Sequence, residues 1–244
     1  MPRCPRCQSE SVIKNGHIQS GQPKFACKQC GRQFVEASQQ RLIPPETKAL
    51  VDKLLLERVS LAGIVRVTGV SARWLQYYVN QKYEGPPRRA EVPVKKSRLT
   101  IQCDELWSFV GKKAKKYWVW LALDVETRLI VGCFIGARDE AGAQGLWQSL
   151  PAGYRQCAVW YTDFWRAYAK VLPSKRHHAV SKQSGKTSLI ERFNNTLRQR
   201  CSRLVRETLS CSKKGINHIG AVWFFIHDYN ARQLGRLATA TTRA

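Results

Sequence analysis

Four of the chain's nine cysteines are bunched near its start, as Cys4-Pro5-Arg6-Cys7 and Cys27-Lys28-Gln29-Cys30, two C-x-x-C knuckles separated by nineteen residues. So short a segment cannot own an apolar core, and it folds only around something that draws the knuckles together. Two tight turns carrying four thiolates suit a tetrahedral zinc ion, whereas a thioredoxin-type redox pair shows the motif once and inside a βαβ unit. Cys4, Cys7, Cys27 and Cys30 are therefore the expected zinc ligands. Residues 11–14 and 24–26 read as short strands of a ribbon around Asn15-Gly16 and Ser20-Gly21. An odd cysteine count, in a chain that opens on a polar cysteine pair, argues against a disulfide framework.

Charge narrows the partners. Forty-one Lys and Arg stand against seventeen Asp and Glu, a formal net charge of +24. The excess is spread, with 18 basic against 7 acidic residues through Arg98 and 23 against 10 after it. Such a balance calls for a polyanion, and nucleic acid is the first candidate. A hydrophobic fraction of 43% excludes a disordered or fibrous chain. The longest apolar run, Tyr117 to Leu123, falls far short of the roughly 18 residues of a membrane span, so a soluble, cytoplasmic protein without a membrane partner is expected.

Organisation follows from periodicity. Leu50, Leu54 and Leu55, then Leu61, Ile64 and Val65, then Leu75, Tyr78 and Val79, mark helices, and Thr68-Gly69-Val70-Ser71 interrupts them as a turn with a helix cap. This predicts a helix-turn-helix in which Arg73 and Gln76 face outward toward DNA. Residues 85–98 hold Gly, Pro, Arg88, Arg89, Lys95 and Lys96 without apolar periodicity and read as a basic, DNA-binding linker. The expected domains are a zinc ribbon over 1–36, the helix-turn-helix over 37–84, the linker over 85–98 and one α/β domain over 99–244. Within the last, residues 99–110, 117–125 and 129–137 read as a three-strand meander, followed by helix 141–150, strand 157–162, helix 164–170 and a fifth strand at 178–181. A long helix is expected from Thr187 to about Ser210, with a second over about 215–231.

Acids are scarce, so those set in apolar strands are costly and need a reason. Asp104 lies mid-strand in Ile101-Gln102-Cys103-Asp104-Glu105-Leu106-Trp107. Asp163 ends the strand Val159-Trp160-Tyr161-Thr162-Asp163, and Glu191 borders the apolar stripe of the long helix. Converging at one end of a sheet, these three would bind Mg²⁺ (or Mn²⁺), because hard cations take oxygen ligands and serve phosphodiester displacement. Taken singly, Asp104 reads equally as one of an exposed pair, Asp163 as a helix cap and Glu191 as a partner of Arg192 or Lys186. Strand alternation puts Glu105 on the face opposite Asp104, and Asp124, Glu207 and Asp228 do not improve the convergence. Arg198, Arg200, Arg203 and Arg206 form the expected phosphate-holding face of the long helix, while Trp107 and Trp165 flank two of the acids.

Three blocks, Cys103-Asp104-Glu105-Leu106-Trp107-Ser108-Phe109-Val110-Gly111, Trp160-Tyr161-Thr162-Asp163-Phe164-Trp165 and Ile190-Glu191-Arg192-Phe193-Asn194-Asn195-Thr196-Leu197-Arg198-Gln199, resemble the catalytic blocks of bacterial insertion-sequence transposases of the IS-one family. The likeness extends to the ribbon and helix-turn-helix. It implies an RNase H-like mixed sheet with flanking helices and an Asp-Asp-Glu triad of Asp104, Asp163 and Glu191 using Mg²⁺. It also implies binding to double-stranded DNA, both terminal inverted repeats and target, and a homo-oligomer in the DNA complex. In many members the N-terminal and catalytic parts are joined by translational frameshifting, whereas here one chain carries both. The competing readings are a zinc-dependent DNA-binding regulator without catalysis and an RNase H-like nuclease or resolvase that cuts without joining.

Overall fold

The computed structural model describes residues 2–19, 21–35, 43–93, 99–204 and 212–241. The described residues fall into two compact units, 1–44 and 45–244.

The first unit is a three-stranded antiparallel sheet in the order β1 (Val12–His17), β2 (Pro23–Cys27), β3 (Gln33–Val35). β1 and β2 match the expected ribbon; β3 was not foreseen, being only three residues long. Its Phe34 opposes Phe25 and the rings stack at 5.9 Å. The buried apolar side chains are few, Val12 and Phe25 beside Cys4 and Cys27, so the fold leans on its four sulfurs.

The second unit begins with α1 (Pro45–Leu55), α2 (Leu61–Thr68) and α3 (Ala72–Glu84). Ser60 Oγ accepts from the Gly63 N–H and Ser71 Oγ from the Trp74 N–H, capping α2 and α3. Gly69 ends α2 at φ 68°, a left-handed turn that a Cβ would strain. These helices pack within the larger unit: α3 lies along α8 (Gly215–Thr241), and a Cβ on Gly220 would come within 2.0 Å of the Tyr83 carbonyl oxygen. Part of the expected linker packs too, since Ala90 is buried and the Pro87 carbonyl accepts from His227 Nε2 at 2.8 Å.

The centre of this unit is a five-stranded mixed sheet, in the order β6-β5-β4-β7-β8, built from β4 (Thr100–Val110), β5 (Lys112–Asp124), β6 (Ile130–Gly136), β7 (Val159–Thr162) and β8 (His177–Ala179). β4, β5 and β6 form the antiparallel meander, and β7 and β8 add in parallel. One face packs on α4 (Glu140–Ser149), α5 (Ala152–Cys157) and α6 (Arg166–Val171) through Ile101, Cys103, Trp120, Leu146, Tyr154 and Tyr168. Across the other lie α7 (Ser188–Arg200) and α8, with buried Phe193, Leu197, Phe225 and Ile226.

Three boundaries differ from expectation. β5 starts at Lys112, because Gly111 at φ 73° closes a tight hairpin that pairs Val110 with Lys112, the ladder resuming past a bulge at Phe109 and Lys116 despite four lysines in five residues. α7 ends at Arg200, not near Ser210: Cys201 turns out with ψ 107°, and the Arg58 N–H takes up the freed Arg200 carbonyl at 2.7 Å. α8 runs ten residues beyond Ala231, its helix formers outweighing Gly235, which costs about 1 kcal/mol against alanine. No described helix is long and apolar enough to cross a membrane.

Candidate active site and metal centres

β7 pairs with β4 only through Gln102, and beyond that residue the edge of β4 is open. Asp104 and Glu105 sit on this open edge, and Asp163 follows β7 directly beside it. One carboxylate oxygen from each lies within 4.8 Å of the others. Asp104 and Asp163 thus meet as expected. Glu105 comes within the same distance although alternation holds: it turns to Tyr168 on the α4–α6 face while Asp104 turns to Asn194 of α7 on the other, and the two reach round the open edge of β4 to one place.

The three acids are held differently. Glu105 is buried and both its oxygens are engaged, one by Arg138 at 2.6 Å and one by the Tyr168 hydroxyl at 2.9 Å. Arg138 is itself sandwiched between Trp118 and Trp165, at 4.6 and 4.3 Å from the ring centroids. Asp104 Oδ2 accepts from Asn194 Nδ2 at 2.7 Å, and Asp163 Oδ1 accepts from the Trp165 N–H at 3.0 Å. A cleft of about 380 Å³ opens beside Asp163, between Arg138, Trp165, Ser181 and Lys182, with Phe164 standing 69% exposed at its rim.

Glu191 is not within the three-acid group. It lies in the first turn of α7 and accepts from the Thr187 hydroxyl at 2.8 Å, not from Arg192 or Lys186. It shares a stripe of the helix with Asn194, three residues on, whose amide reaches Asp104. The start of α7 is pinned to β4 by Gln102, whose Oε1 accepts the otherwise unpaired N–H groups of Leu189 and Ile190, each at 3.0 Å. Gln102, Arg138, Tyr168 and Asn194 escaped the reading of the sequence, since a polar residue in a strand or helix carries no periodic signal of its partner.

Burial raises the Asp104 pKa to about 6, the Glu105 charge adds to the rise, and the Asn194 hydrogen bond opposes it. Burial likewise raises Glu105, against the pull of Arg138. A carboxyl raised in the folded state favours folding when protonated. That contribution is complete below about pH 4 and lost as pH rises through about 6. In magnesium-free buffer, Asp104→Asn should therefore melt above the parent at pH 7.5, by about 2 kcal/mol, and lose this advantage by pH 4. A melting difference that stays constant across this range would refute it.

Donor chemistry fits a hard cation. The group offers carboxylate oxygens only, and the Asn194 side-chain oxygen beside it is buried with no hydrogen-bond partner. In the first unit, Cys4 and Cys30 sulfurs are 3.5 Å apart and those of Cys7 and Cys27 3.6 Å, near the roughly 3.8 Å edge of a zinc–thiolate tetrahedron. Burial works against ionising Cys4 and Cys27. The backbone N–H groups of Cys7 and Arg6 at one, and of Cys30 and Gln29 at the other, together with hydrogen bonds from the neighbouring cysteine thiols, outweigh it and lower both.

The remaining expected residues divide. Arg73, Gln76, Arg88 and Arg89 are exposed, though Gln76 donates to Asn80 at 2.9 Å. Lys95, Lys96, Arg206 and Glu207 lie outside the described residues. Arg198 donates to the Trp107 carbonyl, and Arg200 is ion-paired with Glu57 at 2.6 Å and stacked on Phe225. Arg203 lies past the end of α7, so the three do not share one helix face. Trp107 packs against Phe109 at 5.7 Å, and Trp165 against the apolar core. Asp124 is a structural acid, buried and bonded to Tyr154 at 3.1 Å.

A mixed sheet flanked by helices, with acids gathered where the parallel pairing of β4 and β7 ends, is an arrangement suited to metal-assisted chemistry on phosphodiesters. The sequence model of the IS1 transposase family matches residues 99–230. Insertion element proteins InsB are similar as well. That of iso-IS1n from Shigella dysenteriae is 32% identical over 54% of this chain and 96% of its own length; that of IS1 from Shigella flexneri is 38% identical over 47% and 84%. Among solved structures, a Mos1 transposase paired-end complex with left transposon end is similar at 13% identity and TM-score 0.30, covering 84% of this chain and 82% of its own, a likeness too remote to carry an argument. The chain belongs to the IS1 transposase family and is a DNA transposase.

Proposed function

We propose that this transposase binds the terminal inverted repeats of an insertion sequence, cleaves at their 3′ ends and joins the freed ends to target DNA, all phosphodiester chemistry occurring in one RNase H-like site. The observation that carries the proposal is the meeting of Asp104 and Asp163 at the open edge of β4, with α7 and Glu191 fastened beside them through Gln102 and Asn194. Glu105 is already neutralised by Arg138, which leaves Asp104, Asp163 and Glu191 as the metal-holding set. Divalent magnesium or manganese held there supplies charge neutralisation for the entering and leaving oxygens. The chain's own part is to hold these carboxylates in place: Asn194 orients Asp104, and the Trp165 N–H orients Asp163.

Water attacks the phosphodiester at the element end, the bond to the flanking strand breaks, and a 3′-hydroxyl is released. That hydroxyl then attacks a target phosphodiester in line, one bond forming as another breaks. In this reading the zinc ribbon and the capped α2–α3 pair supply end recognition, with Arg73 and Gln76 toward bases and Arg88, Arg89, Lys95 and Lys96 toward phosphates, in a homo-oligomeric DNA complex. Incubating the full chain with a terminal-repeat duplex, target DNA and Mg²⁺ tests it. Nicked ends together with new joints are expected. Binding without cutting would make the protein a regulator, and cutting without joints a nuclease.

A further inference from the structure

Behind α7, away from the carboxylates, a cavity of about 290 Å³ is lined by five arginines, Arg128, Arg192, Arg200, Arg232 and Arg236, together with Tyr229. They come from three elements that the chain has no charge-balancing reason to bring together: the β5–β6 turn, α7 and α8. Arg200 is paired with Glu57 and Arg232 with Asp228 at 2.9 Å. No described carboxylate forms an ion pair with Arg128, Arg192 or Arg236. Among the described residues, these three have no direct ion-pair partner to offset their mutual repulsion.

Arg128 adds a second sign. It holds φ at 59°, a left-handed conformation that costs an ordinary side chain about 1 kcal/mol and that glycine takes freely. Its N–H closes the turn onto the Asp124 carbonyl at 2.7 Å. Arg128 thus holds a strained backbone where its side chain lines the cavity. Arg128 and Arg236 both lie near enough to Tyr229 to favour its phenolate, although burial dominates and raises its pKa.

On α7, Arg192, Thr196 and Arg200 recur at i, i+4 and i+8 along the wall of this cavity, whereas Glu191, Asn194 and Arg198 recur at i, i+3 and i+7. One helix thus turns different faces to the acids and to the arginines. Arg128, Arg192, Arg232 and Arg236 are exposed, which suits an extended phosphate backbone passing over the rim better than a small anion enclosed within it.

We propose that this arginine-lined cavity is a second DNA site, holding the phosphodiester backbone of a duplex other than the strand bound at the carboxylates. The division between the two duplexes rests on the reaction proposed above; the site itself does not.

The test uses the full zinc-loaded chain, in the parent and in Arg192→Gln/Arg236→Gln, which changes two exposed side chains. Affinity for a random-sequence duplex is followed against salt, and end cleavage is scored separately from joining to a separate target. The variant should lose about one to two units of salt slope, keep cleavage within about twofold and drop joining by about tenfold or more. An unchanged salt slope would overturn the site. Equal losses in cleavage and joining would overturn the second-duplex assignment, and so would inorganic pyrophosphate binding that the variant alone loses at unchanged slope. Should the parent neither cut nor join, the catalytic reading fails while a reduced slope in the variant still upholds the site.

Discussion

Asp104→Asn, Asp163→Asn and Glu191→Gln should each lose cleavage and joining by about a thousandfold or more in Mg²⁺ while still binding terminal-repeat DNA. In the reading proposed above, each substitution removes an oxygen that would ligate the metal but keeps the volume and hydrogen-bonding shape of the side chain. Asp104 and Asp163 stand within 4.8 Å of a third carboxylate, so removing one charge relieves repulsion and should not unfold the domain. Glu105→Gln separates this triad from its neighbour. Its carboxylate is buried and bonded to Arg138; the amide keeps an oxygen that can accept from that guanidinium and gives up only a charge that burial already disfavours. The variant should therefore melt near the parent and keep activity within about tenfold. A dead Glu105→Gln beside a fully active Glu191→Gln would reassign the third ligand to Glu105.

That comparison is needed because the sequence made the site legible only in part. Asp104 and Asp163 were readable: each is an acid in an otherwise apolar strand, and their elements are neighbours in the sheet. Their meeting with Glu105 was not: it faces the opposite side from Asp104, as alternation requires, and comes within reach only because β7 stops pairing at Gln102 and leaves the edge open for the two faces to meet around it. The helix of Glu191 was visible from its apolar stripe, but its end was not. Nothing between Arg198 and Leu204 breaks a helix; the break comes from Arg58, distant in sequence, whose N–H meets the Arg200 carbonyl. Arg200 was read as a phosphate ligand for the same reason, since Glu57, 143 residues away, gives no sign of pairing with it. The meander was plain in its β-branched and aromatic residues, except where four lysines hid the start of β5.

Cys27→Ser should abolish zinc binding, and with it the fold of residues 2–35, while the larger unit keeps its melting transition. The first unit buries little besides Val12, Phe25 and its own cysteines, far less than the ordering of its backbone requires. Structural zinc in such modules contributes about 10–16 kcal/mol, so an ion held by these four cysteines would decide whether the strands form. Serine cannot replace the sulfur, because its hydroxyl does not ionise near neutral pH and is a poor zinc ligand. The larger unit has its own sheet and core and is compact by itself, which is why the two responses should separate. Metal analysis of the parent should return one zinc per chain. Exchange protection of the Phe25 and Cys27 amides should vanish on chelation, with protection in β4 and β5 unchanged. A parent without zinc, or a Cys27→Ser protein that holds it fully, would remove the metal from the account; loss of protection in both units together would show that their folding is coupled.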